Sequence, residues 1–240
     1  MLLDNARLAV LTLSCLGEEP VSIQEISKNV GILVELLNDF LIKLKRENLI
    51  EYDGTYLIAS QQQRLKLAIK AVNWGANPKT VCKPLGWDEF EDFAEFSLKA
   101  GGFKTFKHFC FKSEKRRYEI DILALKRPFM LSIDCKHWKR SWLRSATLKI
   151  VNSQVDRTNA FCSSLSQYVI KLSVETWNKI TIVPMIVTLS DTPFKICEGT
   201  PVVPITSLQD FLNGPYLYDT SISKIAIDHK SLKYKQKKLS

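Results

Sequence analysis

The 240-residue sequence lacks the features that direct a chain into or across a membrane. No apolar run approaches the roughly 18 residues that a transmembrane helix needs. The first ten residues, MLLDNARLAV, lack the charged region and the long apolar region of a signal peptide. We therefore expect a cytoplasmic protein with no membrane partner.

Paired cysteine motifs are also missing. The six cysteines form no CxxC pair, which argues against a zinc ribbon or a thioredoxin-like redox site. Buried, reduced thiols are the simplest interpretation. One zinc alternative stays open, because His108 with Cys110 and Cys135 with His137 would each share a face of a strand. Their spacing, however, fits no common zinc motif.

Positive charge is present in excess and is unevenly distributed. The net charge is +9, from 34 basic and 25 acidic residues. Residues 103–149 contain 13 Lys and Arg against four Asp and Glu, which equals the excess of the whole chain. Such concentrated charge binds phosphate backbones through counterion release. A solvated basic face is the alternative interpretation.

The N-terminal 60 residues show helical spacing followed by a hairpin signal. Ser22 and Glu25 form a capping-box pattern, and Asp53-Gly54 indicates a tight turn. The predicted elements are helices at residues 4–16, 23–30 and 33–47 and strands at 49–52 and 56–58. This order resembles a winged helix-turn-helix. Nine acidic residues against five basic ones disfavour DNA reading by this region, so a protein partner or a homodimer contact is equally open.

Residues 62–79 are interpreted as a linking helix and linker between residues 1–61 and a second domain at 80–215. The lysine-rich segment 216–240 is interpreted as a C-terminal tail. Within the second domain, helices are predicted at 86–100, 145–160 and 207–212, and strands at 104–112, 118–125, 129–136, 180–189 and 201–205. This alternation indicates an α/β domain around a mixed sheet.

The strands at 118–125 and 129–136 carry the chemistry-bearing residues. Alternate residues of a strand share a face, so Asp134 and Lys136 lie together. If the hairpin is centred between Arg127 and Pro128, Asp121 faces Asp134 and Glu119 faces Lys136. Directly opposite residues have Cβ atoms about 5 Å apart. Two carboxylates that close repel each other, and a bridging divalent ion is the simplest compensation.

These residues resemble the PD-(D/E)xK nuclease superfamily, whose fold is restriction-endonuclease-like. Its core motif is an aspartate on one strand and Asp/Glu-x-Lys on the next, here Asp121 and then Asp134-Cys135-Lys136. Ile120 stands where the family's proline precedes the first aspartate. Glu91, in the segment 87–103, is similar to the acidic residue that members carry on the preceding helix. The Mrr-like and archaeal Holliday-junction-resolvase branches are the most similar, over about residues 86–212.

The resemblance implies a metal-dependent endonuclease that hydrolyses DNA phosphodiester bonds in repair, recombination or restriction. The implied cofactor is Mg²⁺ or Mn²⁺, because hard oxygen ligands suit these ions. The expected metal ligands are Asp121, Asp134 and the carbonyl of Cys135, and the expected catalytic residues are Glu91, Asp121, Asp134, Lys136 and Gln154. Arg157 accompanies Gln154 on the following helix. The basic residues expected to contact DNA are Lys115, Arg116, Arg117, Lys139, Arg140 and Arg144.

Three alternatives compete with this hypothesis. A nuclease fold without catalysis would only bind DNA. A transcription regulator would read DNA through the winged-helix-like region and sense a ligand with the second domain. A nuclease acting on RNA would use the same residues, because nothing in the sequence distinguishes the sugar.

Overall fold

The computed structural model describes residues 4–138 and 143–228. The chain divides into two compact units, residues 1–93 and 94–240. Among the described residues, no helix has both the length and the apolar character that a membrane crossing requires.

The first unit is built from helices and a small antiparallel sheet. Its elements are α1 (Asn5–Cys15), β1 (Val21–Ser22), α2 (Ile23–Val30), α3 (Val34–Arg46), β2 (Glu51–Tyr52), β3 (Tyr56–Ile58), α4 (Gln61–Asn73) and α5 (Pro78–Cys82), and α6 (Trp87–Ala100) starts in this unit and ends in the second. The strand order is β1-β3-β2, with β3 in the middle. The three predicted helices and the predicted hairpin are confirmed, and β1 adds a third strand.

Local side-chain hydrogen bonds explain where these elements begin and turn. The backbone N–H of Glu25 donates to Ser22 Oγ at 3.1 Å, which caps α2 as the sequence predicts. In the hairpin turn, the Asp53 carboxylate accepts from the backbone N–H groups of Thr55 and Tyr56 at 2.7 Å each. These bonds lower the pKa of Asp53, because they favour its charged form.

Helix α4 belongs to the core of the first unit. A capping box starts it, since Ser60 Oγ accepts from the Gln63 N–H at 3.3 Å and Gln63 Oε1 accepts from the Ser60 N–H at 3.0 Å. Leu67, Ala68 and Ala71 on α4 are fully buried, and the helix packs against α1. The segment that the sequence presents as a linking helix is therefore part of a compact unit.

A buried ion pair closes the first unit. Arg64 Nε lies 2.8 Å from Glu89 Oε1, and both side chains are at most 10% exposed. The same guanidinium donates to the carbonyls of Leu16 and Pro84. One arginine thus connects the end of α1, the segment before α6 and the start of α6. Sequence patterning gave no indication of this contact.

The second unit is a mixed α/β structure with a large sheet. After the end of α6 its elements are β4 (Lys104–Ser113), β5 (Arg116–Lys126), β6 (Phe129–Lys136), α7 (Arg144–Ser164), α8 (Val169–Leu172), β7 (Lys179–Thr188), β8 (Ile196–Cys197), β9 (Thr200–Pro204), α9 (Leu208–Asn213) and β10 (Ile225–Asp228). The order is β4-β5-β6-β7-β9-β8, and β10 pairs with the start of β7. Strands β6, β7 and β9 are parallel, and the other pairs are antiparallel. The predicted mixed sheet flanked by helices is confirmed at this level.

Strand β6 lies near the middle of the sheet and is buried on both faces. Every residue from Phe129 to Cys135 is buried, and only Lys136 at its end is half-buried. Helix α7 covers one face, where its Phe161 belongs to a buried apolar cluster that includes Leu123 and Met130. Polar atoms at the end of this strand therefore need partners inside the protein.

Part of the predicted tail contributes to the sheet. Strand β10 pairs antiparallel with β7, with Ile225 opposite Ile182 and Asp228 opposite Lys179. The alternation of half-buried and exposed residues in β10 is that of an edge strand. The lysine-rich residues 229–240 lie outside the described residues.

We expect Ser60→Ala to lower the free energy of unfolding by about 1 kcal/mol, because the substitution removes the N-cap of α4. Urea denaturation of the full chain would measure this. Ser14→Ala is the matched control, since Ser14 is an exposed serine whose hydroxyl donates only to the Val10 carbonyl within α1. Equal stabilities for both variants would show that the capping box contributes nothing.

Candidate functional site

The predicted hairpin register is confirmed over the pairs that the ladder contains. These pairs run from Lys126 opposite Phe129 to Ile122 opposite Ile133, so Arg127 and Pro128 form the turn. The ladder to β6 ends there, one pair before Asp121 and Asp134. At this point the Cys135 N–H donates to Asp121 Oδ2 at 2.8 Å. A side-chain oxygen thus takes the place of a backbone acceptor where the two strands separate.

Asp134 is the most enclosed charge of this region. It lies near the end of β6, is 4% exposed, and has a cation on each oxygen. Lys136 Nζ lies 2.7 Å from Oδ2, and Arg157 Nη1 lies 2.9 Å from Oδ1. A buried carboxylate is tolerated only when it is paired in this way. Asp134 and Lys136 therefore share a face, as their spacing predicts.

Helix α7 supplies a buried hydrogen-bond network behind Asp134. Gln154 Oε1 accepts from Arg157 Nη1 at 2.7 Å, and Gln154 Nε2 donates to the Ser132 carbonyl at 2.6 Å. Thr158 Oγ1 donates to Ser132 Oγ at 3.0 Å. Since Gln154 is 1% exposed and Ser132 and Thr158 are fully buried, these bonds fix α7 against β6. Gln154 is brought to Asp134 through Arg157.

The expected pairing of Glu119 with Lys136 is not among the pairs of the β5–β6 ladder, which ends at Ile122 and Ile133. On its β4 side, Glu119 is opposite Cys110. Its carboxylate lies 3.1 Å from His108 Nδ1 and 3.6 Å from Cys110 Sγ. This carboxylate thus contacts side chains of β4.

The zinc alternative receives no support from the geometry. His108 and Cys110 share a face of β4 as predicted, whereas Cys135 is fully buried in β6. Among the described residues, no three His, Cys, Asp or Glu side chains are grouped as metal ligands.

The oxygen donors expected to hold a metal do lie next to one another. Asp121 bonds to the backbone of Cys135, and Asp134 is the preceding residue on the same strand. Carboxylate and carbonyl oxygens suit Mg²⁺ or Mn²⁺. Lys136 and Arg157 place two positive charges on Asp134, the charge that a divalent ion would supply. The donor set therefore fits such an ion, in competition with at least one of these cations.

Glu91 is buried on α6 in the first unit. It is 2% exposed, and the indole N–H of Trp87, one helical turn earlier, donates to its carboxylate. The sequence places Glu91 within an apolar stripe, and its burial confirms that part of the interpretation. The bond to Trp87 satisfies one of its oxygens inside the helix.

The described residues among those expected to bind DNA lie at two places in the second unit, the β4–β5 turn with the start of β5, and the start of α7. Lys115 lies in the turn between β4 and β5, and Arg116, the next residue, stacks its guanidinium 5.0 Å from the centre of the Tyr118 ring. Arg117 donates to Cys110 Sγ at 3.4 Å, and this bond raises the pKa of Arg117. Arg144 is exposed at the start of α7. Lys139 and Arg140 lie outside the described residues.

A cavity of about 400 Å³ opens beside Asp134. The residues that line it come from the end of β6 and from one face of α7: Asp134, Lys136, Trp138, Ala146, Lys149, Ile150, Ser153 and Arg157. Sequence reasoning missed Thr158, Lys149 and Ser153. The four-residue spacing of Lys149, Ser153 and Arg157 was the available signal for the last two.

No family model matches this sequence. An uncharacterized protein of Archaeoglobus fulgidus is 28% identical over 132 residues, which make up 55% of this chain and 93% of that protein. Among solved structures, protein VC1899 from Vibrio cholerae gives a TM-score of 0.39 at 13% identity. The match covers 91% of this chain and 53% of the Vibrio protein, so this chain spans about half the length of that structure.

We expect Gln154→Leu to lower the free energy of unfolding by about 1–3 kcal/mol, because it leaves the Ser132 carbonyl and an Arg157 N–H without their buried partner. Urea denaturation is the measurement. Asn152→Leu, an exposed position on the same helix, is the control and should change stability by less than about 0.5 kcal/mol. If the two variants were equally stable, the network would not hold α7 in place.

Proposed function

We propose that the protein is a metal-dependent nuclease that hydrolyses phosphodiester bonds in DNA. The observation that carries the proposal is the pair Asp134 and Lys136, 2.7 Å apart on one face at the end of a buried strand. Asp121, on the neighbouring strand, bonds to the residue between them. An aspartate on one strand and Asp-x-Lys on the next is the motif of PD-(D/E)xK nucleases, and the mixed sheet with α7 on one face is consistent with their fold.

In this proposal, Asp121, Asp134 and the Cys135 carbonyl hold Mg²⁺ or Mn²⁺. The ion supplies Lewis-acid chemistry, lowering the pKa of a bound water and neutralising charge on the phosphate. The Lys136 ammonium stabilises the negative charge that develops on the phosphate oxygens, because a preorganised cation costs little reorganisation during the reaction. Lys136 also orients the attacking water.

Gln154 and Arg157 are positioning residues in this scheme. Gln154 is fixed by its bond to the Ser132 carbonyl, and it accepts from the Arg157 nitrogen that contacts Asp134. This chain of bonds sets the rotamer of the Asp134 carboxylate before substrate arrives. A carboxylate that is held in one orientation loses less entropy on reaching the reactive geometry than a mobile, exposed carboxylate does. Glu91 stays a catalytic candidate because the family resemblance implies an acidic residue on the preceding helix.

The first unit supports a separate proposal, that residues 1–61 form a winged-helix-like domain. Its order of three helices followed by a hairpin, with β1 joining the sheet, resembles that fold. The exposed Leu33 and Leu36 at the start of α3 are apolar surface suited to a protein partner or a second copy. The acidic balance of this region favours a protein partner over DNA.

One observation favours a second candidate function, a DNA-binding protein without catalysis. Both oxygens of Asp134 are ion-paired, one with Lys136 and one with Arg157. If both cations stay on Asp134, a metal must compete with them for the carboxylate oxygens. Tight DNA binding that is unaffected by divalent ions, with no cleavage, would identify this function.

We expect Mg²⁺- or Mn²⁺-dependent cleavage of labelled DNA that EDTA abolishes. Asp121→Asn and Lys136→Met should each lower the rate at least about 100-fold, because the first removes a metal ligand and the second removes the cation that stabilises charge on the phosphate. Duplex, single-stranded, flap, junction and RNA substrates would be compared under single-turnover conditions.

The control for this experiment is Lys171→Gln, which removes an exposed charge on α8. It should cleave at the parent rate. Full activity of Asp121→Asn, or equal rates with and without EDTA, would refute the metal-dependent mechanism. Faster cleavage of RNA than of DNA would keep the mechanism and change the substrate.

We expect the double variant Lys115→Gln with Arg144→Gln to bind duplex DNA with a flatter salt dependence. The slope of log affinity against log salt should decrease by roughly 0.9 for each phosphate that the variant no longer neutralises. Fluorescence anisotropy in EDTA would measure binding without cleavage. Lys66→Gln, an exposed lysine on α4, should leave the slope unchanged. A parental slope in the double variant would remove both residues from the DNA interface.

A further inference from the structure

Three polar side chains form a row along the face of α7 that borders the cavity. Lys149, Ser153 and Arg157 are each separated by four residues, and all three line the cavity beside Asp134. With a rise of 1.5 Å per residue, neighbours in this row are roughly 6 Å apart along the helix axis. This distance is comparable to that between successive phosphates of an extended nucleic-acid strand.

Several hydrogen-bond donors of this row have no partner among the described residues of the protein. Arg157 contacts Asp134 and Gln154 through Nη1 alone. Within residues 4–138 and 143–228, its Nε and Nη2 have no protein partner, and the side chains of Lys149 and Ser153 have none either. A planar guanidinium with free N–H groups can bind a phosphate while its other nitrogen stays on a carboxylate.

The charge of the cavity favours an anion. Three cationic side chains line it, from Lys136, Lys149 and Arg157, against the single carboxylate of Asp134. Asp134 is neutralised by its two ion pairs, so the remaining positive charge is available to a ligand. Because Lys149 is exposed, a large anion can reach it from solvent.

The rest of the cavity wall is apolar. Trp138, Ala146 and Ile150 line it together with the charged groups. A sugar or a base can pack against such a wall, and aromatic side chains stack on bases without regard to sequence. In a duplex the faces of the bases are stacked and hidden. A wall of this kind beside a row of cations therefore suits a strand whose bases are unpaired.

We propose that this row binds the backbone of an unpaired nucleic-acid strand and leads it to Asp134 and Lys136. Arg157 connects the row to the Asp134 site, since its Nη1 bonds to Asp134 while its Nε and Nη2 can bind a phosphate. The inference rests on the proposed function for the class of ligand, and it adds that the strand entering the site is single-stranded. An end, a flap or a bubble would supply such a strand.

The test measures binding in EDTA, where no cleavage occurs. A fluorescent oligothymidine and a blunt duplex would be titrated by anisotropy over a series of salt concentrations. We expect Lys149→Gln and Arg157→Gln each to reduce the salt slope for the oligothymidine by roughly 0.7, the value for one phosphate of a single strand. Ser153→Glu should weaken binding further, because it places a carboxylate in the middle of the row.

Two further variants keep the result interpretable. Arg157→Lys retains the charge and should keep most of the slope, which separates phosphate binding from a disturbance of Asp134. Lys171→Gln removes one positive charge on α8, away from the row, and should bind like the parent.

Parental slopes in Lys149→Gln and Arg157→Gln would overturn the proposal, and so would a stronger effect of these variants on the duplex than on the single strand. The outcome is distinguishable from that of the cleavage assay. Binding through the row without any cleavage would refute the nuclease and keep the strand site. Metal-dependent cleavage together with parental salt slopes in Lys149→Gln and Arg157→Gln would keep the nuclease and refute the strand site.

Discussion

The burial of Asp134 is the constraint on which the architecture of the second unit depends. Asp134 lies near the end of a strand that is covered on both faces, and only 4% of its surface is exposed. Removing one partner from a buried ion pair costs about 3–5 kcal/mol, so both cations must be held in place. Lys136 comes from the same strand, whereas Arg157 must be delivered by a helix.

Helix α7 meets this requirement through its buried polar side chains. Gln154 and Thr158 bond to Ser132, and these bonds set the height and rotation of the helix over β6. Arg157 then reaches Asp134, and the adjoining face presents Lys149 and Ser153 to the cavity. The same helix thus packs on the sheet and neutralises the carboxylate, and it carries the surface proposed to bind a nucleic-acid strand.

The two units contain regions of opposite net charge. The first 60 residues are acidic on balance, while the net positive charge of the chain equals that of residues 103–149. Phosphate binding is therefore assigned to the second unit under the proposed function. Within the first unit, the capping box of α4 and the buried ion pair of Arg64 with Glu89 stabilise the structure.

Much of the local structure followed from the sequence. The cap at Ser22, the helices at both ends of the first unit's hairpin, the hairpin register and the shared face of Asp134 and Lys136 all depend on residues a few positions apart. Strand and helix periodicity place such residues on common faces whatever the rest of the chain does. The turn at Arg127 and Pro128 then fixes which residues of the two strands are opposite.

Only the tertiary structure decided the contacts between distant residues. The separation of β5 from β6 beyond Ile122 turned Asp121 toward the Cys135 N–H and left Glu119 with β4. Packing of α7 determined that Arg157 pairs with Asp134, and the open side of β7 accepted β10. Such contacts depend on where separate elements pack, and no periodicity within one segment contains that information. The sequence by itself determined which residues share a face, and the packed structure decided which charges meet.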